Sequence, residues 1–357
     1  MVEYGITVGI STFMYFLLHK IRLNSEQANK IVLSLFFGMY FILLALRDIS
    51  VGVDTANYVN FFYNISRFSW QELFAFGNDY LQYEIGFIVF AKMITYFGNE
   101  RLLIIIVSAL IVFPVMYFYV HEAKDSLICI AFFLISLLFE MFFSGMRQSI
   151  AISFGTMAFY FVKKKKIIPF VLVVLLAYTF HTSALLLLLL YPVYYAHITK
   201  KWMVFIIPLF LLAYIEINLL TGYIFLLAGN HYIDGYYYLN EQSGQWSLVI
   251  LFILLSLYSY IFLDEKKADQ EDIGLRNLLL LATFLHLFTI INPVFSRMNY
   301  YFIIFIPVAI SRINARCLLS LAPIAKIANI VMATYFIFYF FCLKGDSLNI
   351  FNYQFFF

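Results

Sequence analysis

Three basic side chains stand inside otherwise apolar sequence: Arg147 in MFFSGMRQSIAISF, His181 in AYTFHTSALLLL and Arg297 in INPVFSRMNYYF. A cationic group held in such a run is costly and marks a functional position. Carboxylates accompany them. Asp54 follows a glycine in RDISVGVDTANY, Glu84 precedes a short apolar helix, and Glu140 stands just ahead of Arg147. A planar guanidinium holds a phosphate through two parallel hydrogen bonds, which strengthen where water is excluded. Arginines at headgroup depth suit the pyrophosphate of a lipid-linked diphosphate, and would stabilise it as a leaving group. A carboxylate such as Asp54 or Glu84 suits removal of a proton from an attacking sugar hydroxyl. Tyr58, Tyr236 and Tyr237 offer ring faces and hydroxyls to sugars.

The elements that carry these residues follow from composition. Hydrophobic residues make up 64% of the 357 and charged residues 12%, well above the ~45–50% apolar content of a soluble domain. The chain reads as an all-α polytopic membrane protein of about 11–13 transmembrane helices, one transmembrane domain over residues 1–357. The N-terminus reads as a retained first span, not a signal peptide. Spans fall near 2–19, 30–46, 101–120, 126–143, 146–162, 167–180, 183–197, 202–220, 246–263, 276–292, 299–312 and 322–343. Basic clusters at 19–30, 163–166, 200–201, 264–276 and 312–316 assign the cytoplasmic side. The extracytoplasmic loops are then 47–83 and 221–245. An apolar helix at 84–97 breaks the alternation. It is either re-entrant or a crossing paired with a half-embedded segment at 56–66, since irregular backbone is tolerated where it lines a cavity. On this topology Arg47, Asp54, Glu84, Glu140, Arg147, His181 and Arg297 all reach the extracytoplasmic side, around an outward-facing polar cavity.

Each residue has a plainer reading. Arg47 beside Asp48 also suits a snorkelling interfacial anchor. Glu140 and Arg147, seven residues apart, also suit an ion pair on one helix face. His181 also suits a packing histidine at a turn, and 236–238 an aromatic belt. Lys163 to Lys166 read as a topology signal. The net charge of +3 is too small for a nucleic-acid partner. Three scattered cysteines give neither a disulfide framework nor metal spacing. No metal and no cofactor is expected.

The same positions carry a resemblance. ALRDISVGVDTANYVNFF, YEIGFIVFAKMI, GMRQSIAISFGTMAFYFVKKKK, AYTFHTSALLLL and RMNYYF occur in the order and spacing of motifs in the EpsG-type polysaccharide polymerases, relatives of the Wzy polymerases. The chain resembles that family over most of its length, though loop 221–245 matches no motif. The resemblance implies a C-type glycosyltransferase of the bacterial plasma membrane. Such an enzyme polymerises surface polysaccharide (exopolysaccharide, capsule or O-antigen) from polyprenyl-diphosphate-linked oligosaccharide on the outer leaflet. Membrane lipid surrounds it, and a flippase and a chain-length regulator are compatible partners. Arg147 and Arg297 are carried over as diphosphate binders, with Arg47 as a third. Asp54 and Glu84 are the acid/base candidates, and His181 is either a phosphate contact or a base. The rival reading is a transporter or flippase of lipid-linked oligosaccharide, which calls for polar residues through the bilayer and related halves. Neither is evident. An O-acetyltransferase calls for a cytoplasmic donor site; only His19, His121 and His197 fall at inner ends.

Overall fold

The computed structural model describes every residue other than 82, 217–218, 220–245 and 291–293. Tyr236, Tyr237 and the loop 221–245 lie outside the described residues. Among the described residues all regular structure is helical, with two isolated antiparallel bridges, Arg47 to Phe355 and Leu263 to Cys317. The contacts group the chain into two compact units, Met1–Leu188 with Lys326–Phe357, and Leu189–Ala325.

The first unit contains α1 (Val2–Lys20), α2 (Ser25–Ala45), α3 (Thr55–Arg67), α4 (Trp70–Leu81), α5 (Ile85–Ile94), α6 (Glu100–Glu122), α7 (Ser126–Ile135), α8 (Leu138–Ser144), α9 (Met146–Lys163) and α10 (Ile167–Phe180). A 3-10 segment, Thr182–Leu189, follows α10. α2 shows how the sequence builds the unit. Asn24 caps it by accepting from the Glu26 N–H at 2.9 Å. Ala28, Val32, Phe36 and Tyr40 recur every fourth residue and are fully buried. Tyr40 then donates to the Phe139 carbonyl at 2.6 Å. Small residues do the same on α9, where Ser153 donates to the Leu110 carbonyl of α6 at 2.8 Å. A Cβ on Gly155 would stand 2.8 Å from Leu187. Inside a bilayer such close packing and interhelical hydrogen bonds hold helices together, since lipid tails are as apolar as leucine.

The second unit contains α11 (Leu190–Tyr195), α12 (Met203–Ile215), α13 (Trp246–Phe262), α14 (Gln270–Leu287), α15 (Val294–Ile303) and α16 (Ile306–Ala315). Its charged side chains are organised. Asp269 and Asp272 form a capping box at the start of α14. Arg312, at the end of α16, meets Asp272 at 2.7 Å, Glu271 at 2.9 Å and Asp269 at 3.1 Å. Arg276 is 2% exposed, donates to Glu265 at 2.7 Å and to the Ile198 carbonyl at 2.6 Å, and lies 4.3 Å from the Tyr260 ring. The basic clusters at 264–276 and 312–316, which the sequence assigns to one side, are therefore in contact. α17 (Ala322–Phe338) continues into a π-helical turn, Tyr339–Leu343, and leads to the C-terminal tail.

This is a polytopic all-α membrane protein. Four described helices are long and apolar enough to cross a bilayer: Ser25–Ala45, Glu100–Glu122, Gln270–Ile290 and Ala322–Leu343. The pair α7–α8, bent by 59°, makes a fifth if it is one span. Leu137, in the left-handed region at φ 65°, is the break. Shorter apolar helices, Ile85–Ile94, Ile167–Phe180, Thr182–Tyr195 and Trp246–Phe262, add to these, and several of the apolar runs are broken as helices. The run 299–312, for example, is split between α15 and α16. The segment at 84–97 is also short. α5 has 10 residues, which at ~1.5 Å each cover about half of a ~30 Å hydrocarbon core.

Candidate functional site

The site assembles in the first unit at the ends of α3, α5, α8, α9 and α10. It begins with the loop that leads into α3. Gly52 has φ +88°, a left-handed conformation that disfavours side chains, and a Cβ there would stand 2.9 Å from the Phe143 carbonyl carbon. The loop thus lies on the end of α8. Thr55 is fully buried; its hydroxyl donates to the Val51 carbonyl at 2.7 Å and the Phe143 carbonyl at 3.2 Å. Asp54 follows from these anchors. Its N–H donates to Ser144 Oγ at 3.3 Å, and Ser144 Oγ donates to Asp54 Oδ2 at 3.0 Å. Asp54 is the N-cap residue of α3, yet its carboxylate caps no helix N–H.

Gly145 separates α8 from α9, and Arg147 stands in the first turn of α9. Its Nη1 donates to Glu84 Oε2, and its guanidinium lies 4.4 Å from the Tyr83 ring centroid, a cation–π distance. The Tyr58 hydroxyl is within its hydrogen-bonding reach. Its Nε is buried and has no hydrogen-bond partner among the described residues. Burial pushes the Tyr58 phenol up, although Arg147 beside it pulls the other way. Tyr83 is raised by burial too, then by Tyr58.

Glu84 is the N-cap residue of α5 but does not cap it with its side chain. It accepts instead from the backbone N–H of Thr182 at 3.3 Å, where the 3-10 segment begins. Gly86 permits this, because α5 runs against the end of α10 there. His181 is the C-cap residue of α10 in extended conformation, with Ser183 Oγ 2.7 Å from its Nδ1. Below, rings form a continuous layer. Tyr58 meets Phe87 at 5.5 Å, Phe90 meets Phe180 at 5.9 Å, and Phe180 meets Phe154 at 5.6 Å.

Four of the five sequence motifs therefore meet. Asp54 is tied to the turn before Arg147, Arg147 to Glu84, and Glu84 to the residue after His181. A family model described as the EpsG family matches residues 30–355 of the chain.

The chain belongs to the EpsG family.

Membership gives this EpsG-family protein a role in polysaccharide biosynthesis, in a family of polysaccharide polymerases. No curated protein and no solved structure matches the chain. Several residues that build the candidate site escape sequence reading. Lys92 is 4% exposed and donates to the carbonyls of Ile65 and Ser66 at 3.2 Å and of Phe68 at 2.6 Å, closing the end of α3 onto α5. A lone lysine in VFAKMITYF was the available signal, the same signal that marks Arg147. Tyr83 and Ser144 gave none beyond adjacency to marked residues.

Arg47 and Glu140 take other places in the first unit, and Arg297 belongs to the second. Arg47 is 1% exposed; it donates to the Leu44 carbonyl and lies 3.5 Å from Ser108 Oγ and 5.9 Å from the Phe143 ring. It supports the end of α8 from inside. Glu140 does not pair with Arg147. It is 1% exposed and meets Lys344 at 3.0 Å, because the break at Gly145 puts Glu140 on α8 and Arg147 on α9. Arg297 is exposed on α15 in the second unit. Nearby Asn299 is buried, donating to the Ala282 carbonyl at 2.9 Å and approaching His286 Nδ1 at 3.2 Å.

Proposed function

We propose that the protein polymerises a bacterial surface polysaccharide from outside the plasma membrane. It would transfer glycan from a polyprenyl-diphosphate donor to a lipid-linked repeat-unit acceptor. The supporting observation is the Arg147–Glu84 pair, set beside Asp54, Tyr58 and Tyr83 and joined to the His181 turn. A guanidinium with a buried, unpartnered Nε has a donor left for a phosphate oxygen.

The chemistry runs as follows. An acceptor sugar hydroxyl attacks the anomeric carbon of the donor. The new C–O bond forms as the bond to the diphosphate breaks, and the polyprenyl diphosphate departs with the electron pair. Arg147 stabilises the growing negative charge on that leaving group. The hydroxyl proton passes to a carboxylate, Asp54 or Glu84. When diphosphate oxygens compete for Arg147, Glu84 loses its ion-pair partner and its carboxylate is freed to accept the proton. Asp54 keeps only the weaker hydrogen bond from Ser144. Tyr58 and Tyr83 face the pair and suit sugar contact. The family resemblance assigns Arg297 a diphosphate role as well, and its own lysine variant tests that.

The deciding experiment is incubation of the purified protein with lipid-linked repeat unit, reading product length on a gel. Chains of many units with release of polyprenyl diphosphate support the reading. Movement of intact repeat unit between the leaflets of vesicles, without elongation, would make it a flippase instead.

A further inference from the structure

The C-terminal tail lies along the loop that leads to Asp54. Asp346 shapes it, its carboxylate accepting from the N–H of Ile350 at 2.7 Å and of Phe351 at 2.9 Å. The carboxylate thereby staples a tight turn. At its apex Asn349 takes a left-handed conformation, φ 52°, which asparagine tolerates better than most residues. The apex carbonyls then point at the loop before α3. Gly52 N–H donates to the Asn349 carbonyl at 3.0 Å, and Val53 N–H to the Leu348 carbonyl at 3.1 Å. Asn349 Nδ2 adds a bond to the Ser50 carbonyl at 2.8 Å.

The tail then runs along the other end of the same loop. Asp48 N–H donates to the Gln354 carbonyl at 2.8 Å, and Phe356 N–H to the Leu46 carbonyl at 3.2 Å. Side chains from both partners fasten it to the body. Tyr4 donates to the Ile350 carbonyl at 2.8 Å and Tyr353 to the Leu43 carbonyl at 2.9 Å. The segment 46–55 is therefore held on two sides: the tail takes the backbone of 46–53, and Phe143 and Ser144 take Asp54 and Thr55. Gly52 and Val53 immediately precede Asp54. Inside the loop Val51 N–H donates to the Asp48 carbonyl and Thr55 N–H to the Gly52 carbonyl, both at 3.1 Å, while the N–H groups of Gly52 and Val53 go to the tail.

We infer that residues 346–354 form a strap that positions Asp54 for transfer, with Asp346 and Asn349 as its positioning residues. The inference rests on the reading of Asp54 as a reacting carboxylate. Misplacing a reacting group by about 1 Å can cost ~100-fold in rate, so loosening the strap lowers turnover while leaving substrate affinity nearly intact.

The test pairs turnover with hydrogen exchange in purified protein, followed on peptides covering 47–58. Asp346→Ala removes both staple bonds. It should raise exchange at Gly52 and Val53 and lower kcat about 10- to 100-fold, with KM changed by less than about twofold. Asp346→Asn keeps acceptor capacity and should recover part of the loss. Asn349→Gly keeps the left-handed backbone and both carbonyls, losing only the amide bond, so a smaller change of the same kind is expected. It also carries the test if Asp346→Ala does not fold. Unchanged exchange in both variants overturns the strap, as does raised exchange with full turnover. Asp54→Asn is assayed alongside. If it is inactive while the strap variants exchange normally, only the strap fails; if it is fully active, the reading beneath the strap fails.

Discussion

Gly86 and Thr179 touch with no room for a side chain between them: a Cβ on Gly86 would stand 2.6 Å from the Thr179 carbonyl oxygen. This contact sets α5 against the end of α10, and so places Glu84 within reach of the Thr182 N–H. Two motifs far apart in sequence meet because one residue between them lacks a side chain.

Gly86→Ala should therefore separate the two helices. Overpacking of this kind costs ~1–3 kcal/mol, so the melting temperature of detergent-purified protein should fall. Polymerisation should fall further than stability alone explains, since Glu84 leaves Thr182. An alanine variant with the wild-type melting temperature and activity would show that the helices yield freely.

Arg147→Lys keeps the charge but loses the planar fork that serves Glu84 and a phosphate together. Single-turnover transfer should drop by about 100-fold, with expression retained. Arg297→Lys is the separate test of the second unit's candidate. If both lysine variants polymerise at the wild-type rate, neither arginine holds the diphosphate.

Asp54→Asn should be more damaging than Glu84→Gln. Asp54 has a hydrogen bond from Ser144 but no cation within ion-pair distance among the described residues, whereas Glu84 is paired with Arg147. Isosteric amides keep shape and remove basicity. Ranking the initial rates of the two amides and of His181→Gln assigns the proton acceptor. Loss confined to His181→Gln would move the base to the histidine.

Accessibility tests the sidedness. Val53 is 53% exposed and Thr182 is exposed. Cysteine at either position should react with a membrane-impermeant thiol reagent on intact cells, in a background with the exposed Cys342 replaced. Cysteine at exposed Lys165 should react only after permeabilisation. The reverse pattern would invert the orientation of the whole site.

Acid should loosen the second unit at the Arg312 cluster. Burial raises the Asp269 carboxyl, but the Asp272 and Glu271 N–H groups and Arg312 outweigh it, and the group ends below its usual value. The stability it contributes is present above the unfolded carboxylate value near 3.8 and is lost as pH falls through the lower folded value. Asp269→Asn should remove that pH dependence and lower the melting temperature at neutral pH. Melting curves taken from pH 7 down to about 3 check the sign.

What the sequence determined was the class of molecule and the identity of its unusual residues. Apolar runs this long admit only a membrane protein, and an arginine or histidine inside them is conspicuous for the cost of placing it there. Arg147 and His181 were legible for that reason, Asp54 and Glu84 as the carboxylates that accompany them, and all four through the family resemblance. The partners of these residues were not. Whether Arg147 answers Glu140 or Glu84 depends on how the chain breaks at Gly145, and spacing along the sequence allows either partner. The hold on Asp54 depends on Ser144 and on a tail some three hundred positions away, joined mainly by backbone hydrogen bonds that any sequence could offer. Where each helix ends also escaped the sequence, because hydropathy sums apolar length and does not see a break such as that between α15 and α16. Side-chain type is local and can be read directly; spacing between helices is set by packing at residues such as Gly86 and Gly155, and only the tertiary structure decides it.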